Sequence, residues 1–96
     1  MYIAGVQFSW DEAKRQVNIR KHGLDFADAS AVFESTTFTF EDDRFNYGEQ
    51  RYITLGLLHG RVVIIAHTEH HDEIRMISMR EGTTREQILY FRRFTA

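Results

Sequence analysis

The sequence predicts an α+β domain: a small antiparallel sheet, built as a meander, packed by an N-terminal helix hairpin and a C-terminal helix. Three observations carry this. Apolar residues recur at helical spacing near both ends of the chain. They alternate with polar residues in the middle, and short turn sequences separate the alternating segments. Residues 2–8 read as a first short strand. Ser9-Trp10-Asp11-Glu12 then has the form of a capping box, with the Ser9 hydroxyl accepting from the third helical N–H and Glu12 reaching back. The helix it opens runs to about residue 21, because Gly23 suits the left-handed position that closes a helix. Its apolar residues are few (Ala13, Val17, and Trp10 at the start), so it buries a narrow stripe. A second helix covers residues 26–33, with Asp25 as N-cap and Phe26, Ala29, Ser30 and Phe33 on one face. The turn Gly23-Leu24 makes the two a hairpin.

From residue 36 the period changes to two. Residues 36–40 alternate Thr and Phe, and 41–50 form a polar loop holding Gly48. Segments 51–57, 61–68 and 73–80 read as strands, parted by turns at 58–60 and 69–72. The stretch 61–68 is the strongest, being β-branched and apolar. Thr83-Thr84-Arg85-Glu86 is a second capping box, opening a helix through Ile88 and Leu89 to about residue 94. The order is β-α-α-β-β-β-β-α. Short turns between successive strands imply an antiparallel meander with the helices on one face.

Composition narrows the functional classes. The 96 residues suit one domain, and 1–96 is read as one. With no cysteine there is no disulfide, thiolate metal site or thiol nucleophile, which fits a reducing cytosol. Hydrophobic residues make up 43%, enough to build a core against the ordering entropy. The longest apolar run, residues 62–66, falls far short of the roughly 20 residues of a membrane span. The first residues lack the basic and apolar regions of a signal peptide. A cytoplasmic protein without membrane contact is expected.

The formal net charge of −2 argues against indiscriminate coating of nucleic acid, but it hides an uneven layout. Residues 10–23 hold four bases against two acids, and 74–96 hold five against two. Between them, residues 24–49 hold seven acids and a single base. Ten of the twelve bases are arginine, whose planar fork pairs phosphate or carboxylate in a bidentate way.

Four groups of residues invite a chemical role, each beside a plainer one. Lys21 and His22 place two cations at a helix end, and an imidazole with an ordinary pKa near 6.5 suits proton transfer. They also simply complement the helix dipole. In the run 67–72, histidines and carboxylates suggest a metal, but a hairpin turn lacks the helical spacing of a zinc motif. His67, at a strand end with Glu69 just beyond, reads better as an acid/base pair. Arg75 and Arg80 differ by an odd number, so a regular strand puts them on opposite faces, one toward the helices or a ligand and one toward solvent, unless a bulge breaks the parity; the plainer role is a salt bridge to Glu49, Glu69 or a helix acid. Trp10 stacks a base or fills the core.

Several segments together resemble a known family. Phe8-Ser9-Trp10-Asp11-Glu12-Ala13-Lys14, Asn18 and Lys21-His22-Gly23, with Phe26, Ala29, Val32 and Phe33, are similar to the N-terminal half of the BrnT toxins. Gly48-Glu49-Gln50-Arg51, Thr54-Leu55-Gly56, His67-Thr68 and Arg75-Met76-Ile77-Ser78-Met79-Arg80, then Thr83 and Glu86, are similar to its C-terminal half. The resemblance spans about residues 8–92. It implies a RelE-like fold and a type II toxin: an endoribonuclease needing no cofactor or metal, which cleaves RNA and so inhibits translation and growth. It implies neutralisation by a BrnA-type antitoxin with a ribbon-helix-helix part, and contact with operator DNA only through that complex. The site residues it implies are Lys21, His22, Arg75 and Arg80. His67 and Glu69 are added from position, and Trp10, Lys14 and Arg20 as RNA contacts. The competing expectation is a non-enzymatic, partner-binding module of an autoregulatory repressor.

Overall fold

The apolar run Val62, Val63, Ile64, Ile65 becomes the central strand of a five-stranded sheet in the computed structural model, which describes residues 5–95. The strands are β1 (Gln7–Ser9), β2 (Phe38–Glu41), β3 (Tyr52–Leu58), β4 (Arg61–His70) and β5 (Glu73–Glu81). Their spatial order is β1-β5-β4-β3-β2. The helices are α1 (Glu12–His22), α2 (Ala29–Glu34) and α3 (Thr84–Thr95), with a 3₁₀ turn, Phe26–Asp28, leading into α2. Asp25 caps that turn, accepting from the Ala27 N–H at 2.9 Å.

Strands β2 to β5 form the expected meander, but the sheet is mixed. β1 runs parallel to β5, with Gln7 opposite Glu73 and Ser9 opposite Arg75. Short turns force antiparallel pairing only between consecutive strands. β1 is parted from β2 by both helices, so that rule does not bind it. Residues 2–4 of the expected first strand lie outside the described residues.

The helices also divide between two faces rather than sharing one. Val63 and Ile65 point to one side of β4 and Val62 and Ile64 to the other, so both faces need cover. On the first, Phe26, Ala29 and Val32 pack on Val63, Ile65, Met76 and Met79. On the second, Tyr90 of α3 packs on Leu55, Val62 and Ile64, with Phe38 beside it. The Tyr90 hydroxyl donates to the Thr36 carbonyl at 2.6 Å. Gly56 lets α2 settle on β3: a Cβ there would stand 2.8 Å from Val32 and 2.9 Å from Thr37.

Candidate active site

Helix α1 begins later than the sequence suggests. Ser9 is still in β1 and donates to Glu73 at 2.6 Å, while Asp11 is the N-cap, accepting from the Lys14 N–H at 3.1 Å. The Ser9 hydroxyl is engaged by Glu73 across the sheet, so the cap falls two residues later, at Asp11. The C-terminus is as expected: Gly23 is left-handed (φ 72°) and its N–H donates to Ile19. Arg20, Lys21 and His22 occupy the last turn, where cations meet the negative end of the dipole.

Asn18 fixes where that turn lies. β1 covers β5 only as far as Arg75, so the rest of β5 is a free edge. The buried Asn18 amide takes the place of a strand neighbour there. Its Nδ2 donates to the Met79 carbonyl at 2.9 Å, and its Oδ1 accepts from the Met79 N–H at 3.0 Å. Nδ2 also donates to the Leu24 carbonyl. One helical turn further on, Lys21 and His22 therefore sit at a set height along the edge. With Lys14 they line a pocket of about 300 Å³ whose other wall is Ile77 and Ser78 of β5. His22 also lines a second pocket of similar volume, with His59, Arg61 and Glu81.

Ile77 breaks the parity of β5. Met76 pairs with His67 and Ser78 with Ala66, leaving Ile77 as an extra residue. Met76 and Met79 thus both enter the first core. Arg75 and Arg80, opposite Thr68 and Ile64, come to the same face, that of α3. Arg75 is exposed. Arg80 is held by Glu86 through two hydrogen bonds of 2.7 and 2.8 Å. Glu86 completes the expected capping box: its carboxylate accepts from the Thr83 N–H at 2.9 Å while its own N–H donates to the Thr83 hydroxyl. The Arg80 guanidinium holds the Glu86 carboxyl down at about 2, and the carboxylate in turn raises Arg80.

The named residues thus fall into two separate groups: Lys21 and His22 wall a pocket with Ile77 and Ser78, while Arg80 faces the β2–β3 side of the sheet beside Asp42 and Ile53. Lys21 and His22 lie on the α1 side, and Arg75 and Arg80 on the α3 face. Ile77 and Ser78, which wall the Lys21 pocket, lie between the two arginines in the chain. His67 and Glu69 do not join them, nor do they pair with each other. His67 is fully buried; its Nε2 bonds the Thr54 hydroxyl at 2.7 Å and its Nδ1 has no protein partner. Burial pushes this imidazole down to about 4. Glu69 is exposed beside Glu49 and His70 near the β4–β5 hairpin. Trp10 is partly buried in the first core, with its ring 6.3 Å from that of Phe26, while Lys14 and Arg20 are exposed. Among the described residues, no three histidine or acidic side chains gather as metal ligands.

Sequence reasoning missed three residues that the fold brings to these groups. Asn18 is among the residues that carry the family resemblance, but nothing in the sequence marked it as the anchor of α1 on β5. His59 shares a pocket with His22. Arg44 shares a depression of about 280 Å³ with Arg80, on the α3 face, and is anchored by the buried Asp42. The i, i+2 spacing of Asp42 and Arg44 was the available signal.

The chain thus folds as a mixed five-stranded sheet with a cation-bearing helix along its edge. The crystal structure of the Brucella abortus ribonuclease toxin BrnT superposes with a TM-score of 0.62 at 30% identity, covering 82% of this chain and 99% of that one. The family model described as the ribonuclease toxin BrnT of type II toxin–antitoxin systems matches residues 10–86, and the chain belongs to that family. A search of curated protein sequences found no match.

Proposed function

We propose that this chain, as one toxin domain acting in the cytoplasm, is a metal-independent endoribonuclease of RelE-like descent that inhibits translation and growth. The observation that carries the reading is the free edge of β5, with Lys21 and His22 on one side and Arg75 and Arg80 on the other. Single-stranded RNA passing from the α1 side of that edge to the α3 face meets a proton carrier first and the arginines beyond it.

In the reaction, the ribose 2′-oxygen loses its proton and attacks the adjacent phosphorus. The bond from phosphorus to the 5′-oxygen breaks, and that oxygen takes up a proton, leaving a cyclic phosphate and a free 5′-hydroxyl. His22 carries one of the two protons. With His67 enclosed and Glu69 at the far end of β4, His59 in the shared pocket is the better second carrier. Lys21, Arg75 and Arg80 stabilise the charge developing on the phosphate. Lys14 and Arg20 bind flanking phosphates.

A BrnA-type antitoxin with a ribbon-helix-helix part neutralises the enzyme, and the complex meets operator DNA through the antitoxin. The bidentate Arg80–Glu86 pair favours the rival reading, a partner-binding module, because it occupies the fork that phosphate would need.

The test uses purified chain, a chelator and an RNA with one 2′-deoxy substitution at the cleaved nucleotide. Cleavage is expected to persist in chelator, to stop at the substituted position and to be lost in His22→Ala. Loss of cleavage in chelator, or continued cleavage at the deoxy position, would sink the mechanism. No cleavage with full antitoxin binding would establish the module.

A further inference from the structure

Helix α3 is apolar on two sides. Toward the sheet it buries Tyr90, whose ring meets those of Phe38 and Phe94 at 6.5 and 5.0 Å. On the other side Ile88 and Leu89 are 50% and 51% exposed, and Arg85 and Arg92 are exposed with them. Positions 85, 88, 89 and 92 are spaced i, i+3, i+4, i+7, so they form one outward stripe: an aliphatic pair bracketed by two arginines. A surface helix normally turns one apolar face to the core and a polar face to solvent, so a half-exposed aliphatic pair on its far side calls for a partner. The sheet covers only the Tyr90 side.

We propose that this stripe is the docking surface for the protein antitoxin, and that it takes an amphipathic segment carrying carboxylates beside its apolar anchors. The inference rests on the reading of the chain as a neutralised toxin. Charge selects the occupant. The acid of the first turn, Glu86, is already paired with Arg80, so the stripe presents only positive charge beside its apolar pair. A second copy docked through the same stripe would be self-complementary in position but would set arginines against arginines. RNA would satisfy Arg85 and Arg92, but its bases stack on aromatic rings, and the side chains between the two arginines are the aliphatic Ile88 and Leu89, with the half-exposed Phe91 only at the stripe's margin. An acidic amphipathic helix laid along α3 satisfies both features.

The chain is co-purified with a BrnA-type antitoxin, and affinity is measured for the wild type, for Ile88→Glu with Leu89→Glu, and for Arg85→Glu with Arg92→Glu. Each variant is also assayed alone for RNA cleavage and thermal midpoint. Both are expected to lose about a hundredfold or more in antitoxin affinity, in line with the loss of a central anchor. Both should still cleave RNA, now in the presence of antitoxin, and the arginine variant should bind with weaker salt dependence. If the double glutamate variant loses its fold, Leu89→Gln repeats the comparison. Wild-type affinity in the variants overturns the surface and leaves the toxin reading standing. A wild-type chain that binds no antitoxin overturns both. A dimer of the wild-type chain in light scattering, dispersed by Ile88→Glu with Leu89→Glu, overturns the proposal in favour of a second copy. Loss of RNA binding in the same variant overturns it in favour of RNA.

Discussion

The two faces of the sheet are built on different terms. The face under the helix hairpin is closed: among the described residues nine core side chains are buried there, and even His67 is shut in. The face under α3 has four buried core residues and keeps Arg75, Arg80 and Arg44 near solvent. The difference arises in one strand. The bulge at Ile77 sends Met76 and Met79 to the closed side and both arginines to the open one. Stability is concentrated on one face, which leaves the other free to carry charge.

The most direct way to break that comparison is to remove charge from the open face. Arg80→Ala should lower the cleavage rate by about 10²–10³-fold, as for other transition-state donors. It should lower stability by less than about 1 kcal/mol, because the Arg80–Glu86 pair is partly exposed. Single-turnover rates and urea midpoints on the same samples separate the two effects. A rate within a few-fold of the wild type would reduce Arg80 to a structural ion pair.

Asn18→Ala tests the join between the faces. It strips partners from the Met79 N–H and carbonyl and from the Leu24 carbonyl, at a cost of about 3 kcal/mol. Since α1 then loses its place along β5, kcat should fall more than KM rises. A variant that is merely unstable, with normal kcat at low temperature, would show that Lys21 and His22 do not depend on this anchor.

The closed face makes its own prediction through His67. Burial holds its pKa at about 4, while in the unfolded chain it titrates near 6.5. Between these values the unfolded state binds the proton and the folded state does not. Stability should therefore fall as pH drops from 6.5 to 4, by up to roughly 3 kcal/mol. His67→Phe, placed among Phe33 and Tyr52, should remove that share of the slope in urea titrations at pH 7 and 4.5. An unchanged slope would mean that the imidazole is reachable by water. Gly56→Ala probes the same face with a smaller effect, about 2 kcal/mol, because the added methyl must push Val32 and Thr37 apart.

Much of this was legible in the sequence, for physical reasons that can be named. Strand order within the meander followed from short turns, and Gly23 and Asp25 marked their caps because each supplies a local hydrogen-bonding or conformational need. What failed was non-local. The direction of β1 is set by the edge it meets, and nothing within residues 5–9 encodes that edge. The cap at Asp11 lost to Ser9 in the reading because a box pattern ignores whether Ser9 is held in a strand. The parity of Arg75 and Arg80 was left open at a bulge, and the pairing of β5 with β4 settles it. His67 shares its face with Val63 and Ile65, a relation visible from alternation. Its full enclosure comes from Phe33 and Tyr52, which lie far away in sequence.

The smallest expected effect bears on the sharpest question about the open face: whether Arg80 is held for structure or for phosphate. Glu86→Gln keeps the capping box, since glutamine serves at the same position, and removes only the charge. The Glu86 carboxyl is held at about 2 by Arg80, against an ordinary value of 4.5, so the pair stabilises the fold above pH 4.5 and fades as pH falls toward 2. Solvent around this partly exposed pair reduces the stabilisation to about 1 kcal/mol, which the variant should lose at neutral pH. Asp25, held at about 2 by Arg15, titrates in the same window, so the variant removes only part of the acid slope. The same change frees the Arg80 fork. If phosphate is its destination, a 2′-deoxy-blocked RNA should bind the variant several-fold more tightly, with a steeper salt dependence. Weaker binding would mean that Glu86 aims Arg80 at its target, and equal binding that RNA does not touch Arg80.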